Sequence, residues 1–473
     1  MKKAFAVLAT GVTLLASPAH AAVTFDYIFD GGYPLSVSND GSVIAGNDLD
    51  YISFRWTQAT GMVSLGRYQK LGGGGSPAIS ANGTRIAYGI GAVDSSYTTQ
   101  GLWTLGSGWQ ELMPPPPPDG GTVDGTYGSS YDISGDGNTV VGLYNRPGHG
   151  NRAHASKWTQ ATGVVDLGGT TTGQASRANG TNYDASVIAG WVEAPTGNWR
   201  PAAWVNGSLV LLTEFDGTIS IAGAGEARAT SSNGDIIVGY SSDPETHQRA
   251  ASMWRRTDGV FGPVEILGWV DGSTPEYGIN LPYAVSDDGE IVVGYCSFDG
   301  TPFATTGFVW TPGTGVVDVN QFLADNGVLV DPNFTIQSLT AMTPDGTRIF
   351  GFGQMLTPPY TRRAFRITLT STTGVPSPAP VARIELSAPK PNPSSSATRM
   401  ELALPAAASV DLSVYDASGR RVATLLHSDL PAGRHSVQWD GREASGRVAT
   451  TGVYFARLVT PQGSAVRRIV RMH

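Results

Sequence analysis

Short apolar runs, mostly β-branched, alternate along the chain with polar turns that contain Asp-Gly or Asn-Gly. One phrase, close to Ser-x-(Asp/Asn)-Gly-x-x-(Ile/Val)-x-Gly, recurs seven times, and Ala185 replaces the turn glycine in the degenerate fourth copy. The turn position falls at residues 41, 83, 137, 185, 234, 289 and 346. Such a pair between apolar runs is a strong hairpin signal, because the tight turn needs a positive φ that Gly and Asn adopt at little cost. The pattern predicts seven repeats, each starting with a β-hairpin.

Two further strands follow the hairpin in each of the first six repeats. A strand that carries Trp follows the hairpin, as at Trp56, Trp158 and Trp310, and a Gly-x-Val-x-Leu-Gly run or a variant comes next. The copies lie 42 to 57 residues apart, and propeller blades repeat at about 40–50 residues with four strands each. We therefore predict an all-β fold in which residues 22–370 form a seven-bladed β-propeller. Six or eight blades, or an open stack, are the alternatives.

Two recurring residues have structural explanations. Trp at one fixed position in each repeat is expected to fill the wedge between neighbouring blades. The glycine that ends each phrase is expected where the backbone passes close to a neighbour.

The seventh repeat lacks the last strand, because no Gly-x-Val-x-Leu-Gly run follows Arg363-Ala-Phe365. Residues 25–32 offer a spare strand of the right character ahead of the first hairpin. Pairing the first strand of the chain with the last repeat would close the ring and remove an open sheet edge. We expect closure of this kind.

Variants of a His-Ala-Phe phrase stand ahead of the Trp strand, namely His154-Ala-Ser, Arg200-Pro-Ala-Ala and Arg363-Ala-Phe365. With these phrases, residues 23–370 resemble the HAF family of extracellular repeats. The resemblance implies an exported or surface location and no settled chemistry.

The tail differs from the body in its pattern. Residues 371–382 form a Pro-rich linker, which is semi-rigid and unsuited to packing. In residues 383–473 apolar positions alternate with period two between turns, which predicts a small Ig-like β-sandwich. The alternating positions include Met400, Leu402, Leu404, Val410, Leu412, Val414, Val453 and Phe455.

Three phrases in the tail are similar to those of the FlgD-type Ig-like module and of C-terminal sorting domains of type IX secretion cargo. They are Val414-Tyr-Asp-Ala-Ser-Gly-Arg420, Trp439-Asp-Gly-Arg442 and Gly452-Val-Tyr-Phe455. The resemblance implies export across the outer membrane through secretion machinery, followed by release or anchoring. An Ig-like domain that merely packs or spaces is the alternative.

Residues 1–21 have the pattern of a signal peptide: a basic start, an apolar run from Ala4 to Ala16, and a small-x-small cleavage site at Ala19-His20-Ala21. That run is too short to span a bilayer, and no later stretch approaches the ~20 apolar residues of a transmembrane segment. We expect a secreted or cell-surface protein of a Gram-negative-type bacterium.

Charge is placed unevenly. From Arg383 onward there are 12 basic and 7 acidic residues, a net charge of +5. Between the signal peptide and Arg383 there are 17 basic and 32 acidic residues, a net charge of −15. An acidic, lysine-poor body makes nucleic acid an unsuitable partner.

No motif for catalysis, a cofactor or a metal stands out, and we assign none. His149 and His154 lie in a polar, Gly-rich stretch that is typical of a solvated loop. Cys296 is the single cysteine and is expected to be buried. The Asp-rich turns, such as Asp287-Asp288-Gly289, are interpreted as hairpin chemistry rather than calcium sites.

Aromatic residues outside the repeat pattern are the better candidates for a ligand-binding face, because structural repetition does not require them. They are Tyr97, Trp109, Trp191, Trp199, Trp269 and Tyr360.

These patterns favour an exported, non-catalytic propeller that binds a glycan or another protein at the cell surface. A polysaccharide lyase or glycoside hydrolase with carboxylates at the channel mouth is the alternative. A structural component of a surface layer is a third possibility.

Overall fold

The structure is a computed structural model. It describes residues 22–68, 74–91, 98–113, 128–145, 152–169, 174–214, 225–242, 249–270, 279–298, 305–370 and, with short gaps, 384–472. The chain divides into two compact units, Met1–Thr372 and Thr373–His473. Each unit has a hydrophobic core of its own.

The first unit begins with β1 (Ala22–Asp30) and then contains one set of strands for each repeat of the sequence. Repeat 1 has β2 (Gly32–Val37), β3 (Val43–Asp48), β4 (Ile52–Thr57) and β5 (Gly61–Tyr68). Repeat 2 has β6 (Ala78–Ile79), β7 (Arg85–Gly91), β8 (Thr98–Thr104) and β9 (Gly108–Leu112). Repeat 3 has β10 (Gly128–Ile133), β11 (Thr139–Asn145), β12 (Ala153–Thr159) and β13 (Gly163–Asp166). Repeat 4 has β14 (Ser176–Thr181), β15 (Val187–Glu193), β16 (Trp199–Val205) and β17 (Ser208–Leu211).

The remaining repeats of the first unit carry additions and one omission. Repeat 5 has β18 (Gly225–Thr230), β19 (Ile236–Ser242), β20 (Arg249–Thr257), β21 (Val260–Phe261) and β22 (Glu265–Gly268). Repeat 6 has β23 (Ile279–Val285), β24 (Val292–Ser297), β25 (Thr305–Thr311), β26 (Gly315–Asp318) and the helix α1 (Val319–Asp325). Repeat 7 has β27 (Phe334–Met342), β28 (Arg348–Met355) and β29 (Arg362–Thr370).

Within a repeat the strands form an antiparallel meander in chain order. The first strand of each repeat contacts the first strand of the next, and β27 contacts β2, so these strands enclose a central channel. The prediction of an all-β, propeller-like fold is confirmed. Repeats 5 and 6 share one nine-stranded sheet, which is joined where Arg249 pairs with Ile279. The number of separate blades therefore stays a prediction.

The N-terminal strand closes the last repeat, as expected from the missing strand. Strand β1 pairs antiparallel with β29, from Ala22 opposite Thr370 to Asp30 opposite Arg363, and the sheet order is β1-β29-β28-β27. Phe25 stacks on Phe365 with ring centroids 4.8 Å apart. One four-stranded sheet thus combines both ends of the first unit.

The recurring Ser and Asp of the phrase build the hairpin turn. In repeat 1 the Ser38 hydroxyl donates to Asp40 at 2.6 Å and accepts from the Val43 N–H at 3.0 Å. Partial burial alone would raise the pKa of Asp40, but hydrogen bonds from Ser38 and Ser42 hold it below its usual value. Equivalent bonds join Ser286 to Asp288 and Thr343 to Asp345 in later repeats. The interpretation of these carboxylates as turn chemistry is confirmed.

The final glycine of the phrase and the Trp of the third strand, present in six of the seven repeats, serve packing, as predicted. A Cβ on Gly142 would lie 2.1 Å from the carbonyl oxygen of Ser129, so only glycine lets the first two strands approach this closely. Trp204 and Trp254 are fully buried, and their indole nitrogens donate to backbone carbonyls in the preceding repeat, at 2.9 and 2.8 Å. Each indole therefore fastens one repeat to its neighbour.

The second unit is a two-sheet sandwich. Its strands are β30 (Glu385–Leu386), β31 (Thr398–Leu404), β32 (Ala408–Asp416), β33 (Arg421–Leu430), β34 (Gly433–Trp439), β35 (Gly452–Thr460) and β36 (Gly463–Arg471). The sheet orders are β30-β31-β34 and β33-β32-β35-β36.

The core of the second unit contains the predicted positions on β31 and β32. The prediction for β35 is wrong, because the opposite face of this strand is buried. Val453 is 39% exposed, while Tyr454, Ala456 and Leu458 are buried. The run Val-Tyr-Phe is apolar on both faces, so alternation alone could not choose the inward side. The Tyr454 hydroxyl donates to the Thr450 carbonyl at 2.8 Å, which satisfies its polar tip inside the sandwich.

Across the residues that the structure describes, no helix has the length and apolar character that crossing a membrane would require.

Candidate ligand-binding channel

The first unit contains a cavity of about 930 Å³ in the central channel. It is lined by residues from the first strand of every repeat, together with Tyr51 and Arg362, which lie where the second and third strands of their repeats connect. Connections at this end of the channel, here called the loop end, are three to fifteen residues long, except for the single residue between β1 and β2. At the opposite end, the turn end, the connections are two to six residues long. The cavity thus lies towards the end where the repeats differ.

A β-bulge at the same place in six repeats directs side chains into this cavity. The register of the first strand shifts just before the hairpin, and β27 has a second, earlier shift between Ile336 and Ser338. A bulge re-aims the residue at the shift. The residues at these shifts are Leu35, Tyr131, Asn179, Arg228, Tyr283 and Thr340. All six line the cavity.

Three arginines in the cavity wall each lie against an aromatic ring. The guanidinium of Arg177 is 4.8 Å from the centroid of Tyr131, and that of Arg228 is 5.1 Å from Tyr283. The guanidinium of Arg362 is 4.6 Å from Tyr33. Stacking of this kind orients the planar fork of the arginine and leaves its N–H edge open to hydrogen bonding, from protein groups or from a ligand.

Two of the arginines share one carboxylate. Arg177 forms an ion pair with Glu226, and Arg228 Nη1 lies 3.3 Å from the same Glu226 oxygen. Arg177 and Glu226 occupy the same repeat position on adjacent first strands, which brings them together across the boundary. Burial alone would lower the pKa of Arg228, but the Glu226 carboxylate raises it above its usual value. Glu226 is buried and is not itself part of the cavity lining.

Tyr295 extends the aromatic wall beside Tyr283. Their rings stack with centroids 5.7 Å apart and an interplanar angle of 19°. Burial and the neighbouring Tyr283 raise the pKa of Tyr295 to about 12. The phenol therefore stays neutral and can donate a hydrogen bond to a ligand.

Asp132 lies at the neck of the channel, where the large cavity meets a smaller cavity on the turn side. The residue two before the hairpin Ser, Thr or Asn is small in the other repeats; these positions are Ser36, Ala78, Gly180, Ala229, Ala284 and Ala341. The Asp132 carboxylate accepts the N–H of Ile133 and that of Thr181, both at 2.8 Å. Its position deep in the channel nevertheless raises its pKa to about 7. A smaller cavity of about 180 Å³ on the turn side shares Asp132 with the large one.

Asp132 is the sole carboxylate among the lining residues of the large cavity that the structure describes. The paired carboxylates of a glycoside hydrolase are therefore not assembled by those residues. Within the described parts of the chain, no group of three or more His, Cys, Asp or Glu residues is placed to hold a metal ion.

The structure separates the aromatic residues selected from the sequence. Trp191 and Trp199 stack with centroids 4.3 Å apart, and the Arg177 guanidinium lies 5.4 and 5.8 Å from their rings. They therefore flank the cavity wall without lining it. Tyr97 lies outside the described residues.

The other three aromatic candidates lie away from the cavity. Trp109 is half-buried, and its indole nitrogen donates to the Leu65 carbonyl of repeat 1 at 2.8 Å. Trp269 is half-buried just after β22, and Tyr360 is 57% exposed between β28 and β29.

Sequence reasoning missed the bulge residues, including Tyr131, Arg228 and Tyr283. They fall inside the repeat, three residues before the hairpin Ser, Thr or Asn, where only Tyr occurs twice. The available signal was that the residue type varies at this one position, while neighbouring positions of the repeat are regular.

The prediction of a solvated loop around His154 is wrong. His154 lies in β12, is 3% exposed, and its Nδ1 is 3.3 Å from Asp166 Oδ2. It pairs in register with Tyr144 on β11, so the strand begins earlier than the polar sequence suggested. His149 lies outside the described residues. Cys296 is fully buried, as predicted, and burial raises its pKa to about 12.

Comparison with protein families identifies the tail. The family model of the FlgD Ig-like domain matches residues 392–464. The chain carries a FlgD Ig-like domain at its C-terminus. The resemblance expected from the tail phrases is confirmed to that extent. No curated protein matches the chain.

Solved structures resemble the fold at low identity. An oligogalacturonate lyase from Vibrio parahaemolyticus is 10% identical with a TM-score of 0.43, covering 74% of this chain and 98% of the lyase. A prolyl endopeptidase is 11% identical with a TM-score of 0.39, covering 81% of this chain and 55% of the peptidase. Likeness at this level says nothing about function, and the fold rests on the strand pairing described above.

Proposed function

We propose that the protein is an exported, non-catalytic propeller that binds a glycan in the cavity at the loop end of its channel. The observation that carries the proposal is the set of three arginine–aromatic pairs around one open cavity. Aromatic faces suit the C–H faces of sugar rings, and arginine forks suit oxygen-rich substituents. The volume lies within the usual range of ligand pockets, about 300–1,000 Å³.

The polar groups of the cavity favour binding over hydrolysis. Both oxygens of Asp132 are already engaged by backbone N–H groups, which suits a structural carboxyl at the neck. The raised pKa of Tyr295 keeps its phenol protonated near neutral pH, so Tyr295 cannot accept a proton as a general base.

One observation supports the alternative of a polysaccharide lyase. Asp132 has a pKa of about 7, which is suited to a general base. Chain cleavage by the mature protein that disappears in Asp132→Asn, with ligand binding retained, would favour the lyase.

The C-terminal domain is proposed to direct secretion or surface attachment through secretion machinery. The support is the FlgD Ig-like domain at residues 392–464 together with the signal-peptide pattern and the resemblance of the body's His-Ala-Phe-like phrases to extracellular repeats. Removal of residues 381–473 should retain the protein in the periplasm. Normal delivery to the surface or medium without these residues would contradict a sorting role and leave a spacing role.

Glycan binding is tested with the mature chain, residues 22–473, on a glycan array followed by titration calorimetry. Tyr283→Ala removes a ring that lines the cavity, and we expect at least about tenfold weaker binding, a loss of ~1.4 kcal/mol. Tyr360→Ala is the matched control, because Tyr360 is exposed away from the cavity. Equal loss in both variants, or loss in Tyr360→Ala alone, would place the ligand elsewhere. Absence of any glycan ligand would overturn the proposed function.

A further inference from the structure

The wall of the cavity carries more positive than negative charge. Its described lining contains three guanidinium groups, Arg177, Arg228 and Arg362, and one carboxyl group, Asp132. The buried carboxylate of Glu226, behind the wall, offsets one of the three positive charges. A positive excess remains whichever form Asp132 takes. Charges that are partly withdrawn from water favour a partner of opposite sign.

Arg362 is the clearest case. Two other arginines of β29 have carboxylate partners on β1: Arg363 lies 3.1 Å from Asp30, and Arg366 lies 3.2 Å from Asp26. Within the described residues Arg362 has no ion pair; Arg362 Nη2 donates to Gln354 Oε1 at 3.3 Å, and its guanidinium faces the rings of Tyr33 and Phe352. The arginine that points into the channel is thus the one without a counter-charge.

Arg228 repeats the arrangement on another wall of the cavity. It shares the Glu226 carboxylate with Arg177, so two cations divide one negative charge. Its Nε is buried and has no hydrogen-bond partner among the described residues. The ring of Tyr283 lies beside this guanidinium as Tyr33 lies beside Arg362.

A cation beside an aromatic face defines a ligand class. A planar carboxylate matches the guanidinium fork with two parallel hydrogen bonds. An adjacent sugar ring can lay its C–H face on the tyrosine. We infer that the channel binds an acidic glycan, one whose uronic-acid carboxylates pair with Arg362 and Arg228. This inference rests on the proposed function.

The decisive probe compares each acidic glycan with its own neutral form. Oligosaccharides of hyaluronan, of alginate and of galacturonic acid are titrated against the mature chain, each beside its carboxyl-reduced counterpart. At least one acidic form should bind, its reduced form at least about tenfold more weakly, as expected for a lost charge-assisted hydrogen bond. Binding of the acidic form should also weaken as salt rises.

Variants then locate the contact. Arg362→Gln should weaken binding of the acidic form at least about tenfold and leave the weak binding of the reduced form unchanged. Arg363→Gln is the matched control, since this neighbour on β29 already pairs with Asp30 outside the cavity. Arg362→Lys should fall between, because lysine keeps the charge and loses the fork.

Each result has one meaning. Equal binding of acidic and reduced glycans overturns the inference and leaves the proposed function standing. Salt-insensitive binding, or binding that Arg363→Gln weakens as much as Arg362→Gln, also overturns it. Preference for sulfated glycans over uronates overturns the carboxylate assignment. Binding of acidic peptides with no glycan bound overturns both the inference and the proposed function. The wild-type comparison of acidic and reduced forms keeps the test valid if Arg362→Gln fails to fold.

Discussion

At the scale of single residues, Ala185 shows how strongly the turn geometry is imposed. Six copies of the repeat place glycine at this position with φ between 67° and 75°, and Ala185 adopts φ 57°. For an L side chain the left-handed region costs about 1–2 kcal/mol. The fourth repeat keeps the turn despite this cost because its neighbours fix the backbone: Tyr183 N–H donates to the Ser232 carbonyl, and Asp136 N–H donates to the Tyr183 carbonyl, both at 2.9 Å.

Ala185→Gly should therefore stabilise the first unit. Relief of the left-handed conformation outweighs the extra entropy of glycine in the unfolded chain, so we expect a gain of about 0.5–1 kcal/mol in the free energy of unfolding. Chemical denaturation measures it. Gly234→Ala is the reverse change in the next repeat, where a Cβ would lie 2.8 Å from Asn182 Nδ2, and it should destabilise. Destabilisation by Ala185→Gly would contradict the strain argument.

Asp132 makes stability depend on pH. Its pKa is about 7 in the folded protein and 3.8 without the fold, so between these values the folded state binds more protons than the unfolded state. Raising the pH from about 4 to about 7 therefore lowers the free energy of unfolding, and the loss is complete above the folded pKa. Across this window the free energy of unfolding of Asp132→Asn should increase by about 1–3 kcal/mol relative to the wild type, a range that allows for water in the channel.

The pH test has a control of opposite sign. The pKa of Asp40 is lowered, so its ionised form stabilises the fold, and that contribution is lost as the pH falls through the folded pKa. Asp40→Asn should cost stability near neutral pH and little in strong acid. A constant difference between Asp132→Asn and wild type at every pH would rule out titration of Asp132.

At the scale of elements, the bulge separates what the sequence could predict from what it could not. Hairpins, Trp strands and the closing strand follow from turn residues and from alternation, and all three are present. The bulge adds one residue to the first strand, and no residue type is common to the repeats at that position. Period two therefore cannot reveal which side chain turns into the channel. The predicted binding residues are aromatic residues outside the repeat pattern, whereas the cavity wall includes bulge residues such as Arg228 and Tyr283.

The glycine that faces the first strand allows this close packing. In repeat 6 a Cβ on Gly294 would lie 2.1 Å from the Leu281 carbonyl oxygen and 2.8 Å from Phe308. Gly294→Ala should lower the free energy of unfolding by about 2–3 kcal/mol, because backbone has to move. Gly313→Ala in the same repeat meets nothing nearer than 4.0 Å and should change it by less than about 0.5 kcal/mol. Similar effects of the two changes would contradict the packing argument.

At the scale of the whole molecule, the first unit has two different ends. At the turn end the short hairpins bond to one another, as where Asn39 N–H donates to the Ala81 carbonyl and Ala81 N–H to the Gly135 carbonyl, both at 2.9 Å. At the loop end the connections vary in length, and the arginine–aromatic cavity lies there. One end therefore holds the repeats together, while the other is free to vary from repeat to repeat.

Closure by β1 ties this arrangement to residues 22–30. Without β1, β29 would become an open edge, and Phe365 would lose the stacked ring of Phe25. Phe25→Ala should lower the free energy of unfolding by about 1–2 kcal/mol, because this ring is half-buried, and Tm by several degrees. Asp26→Ala alters the exposed side of the same strand and should cost less than about 0.5 kcal/mol.

Deletion of residues 22–30 should lower Tm further than either change, and a synthetic peptide of that sequence should restore it by strand addition. An unchanged melt after deletion would mean that repeat 7 is held by its contacts with repeats 6 and 1 alone.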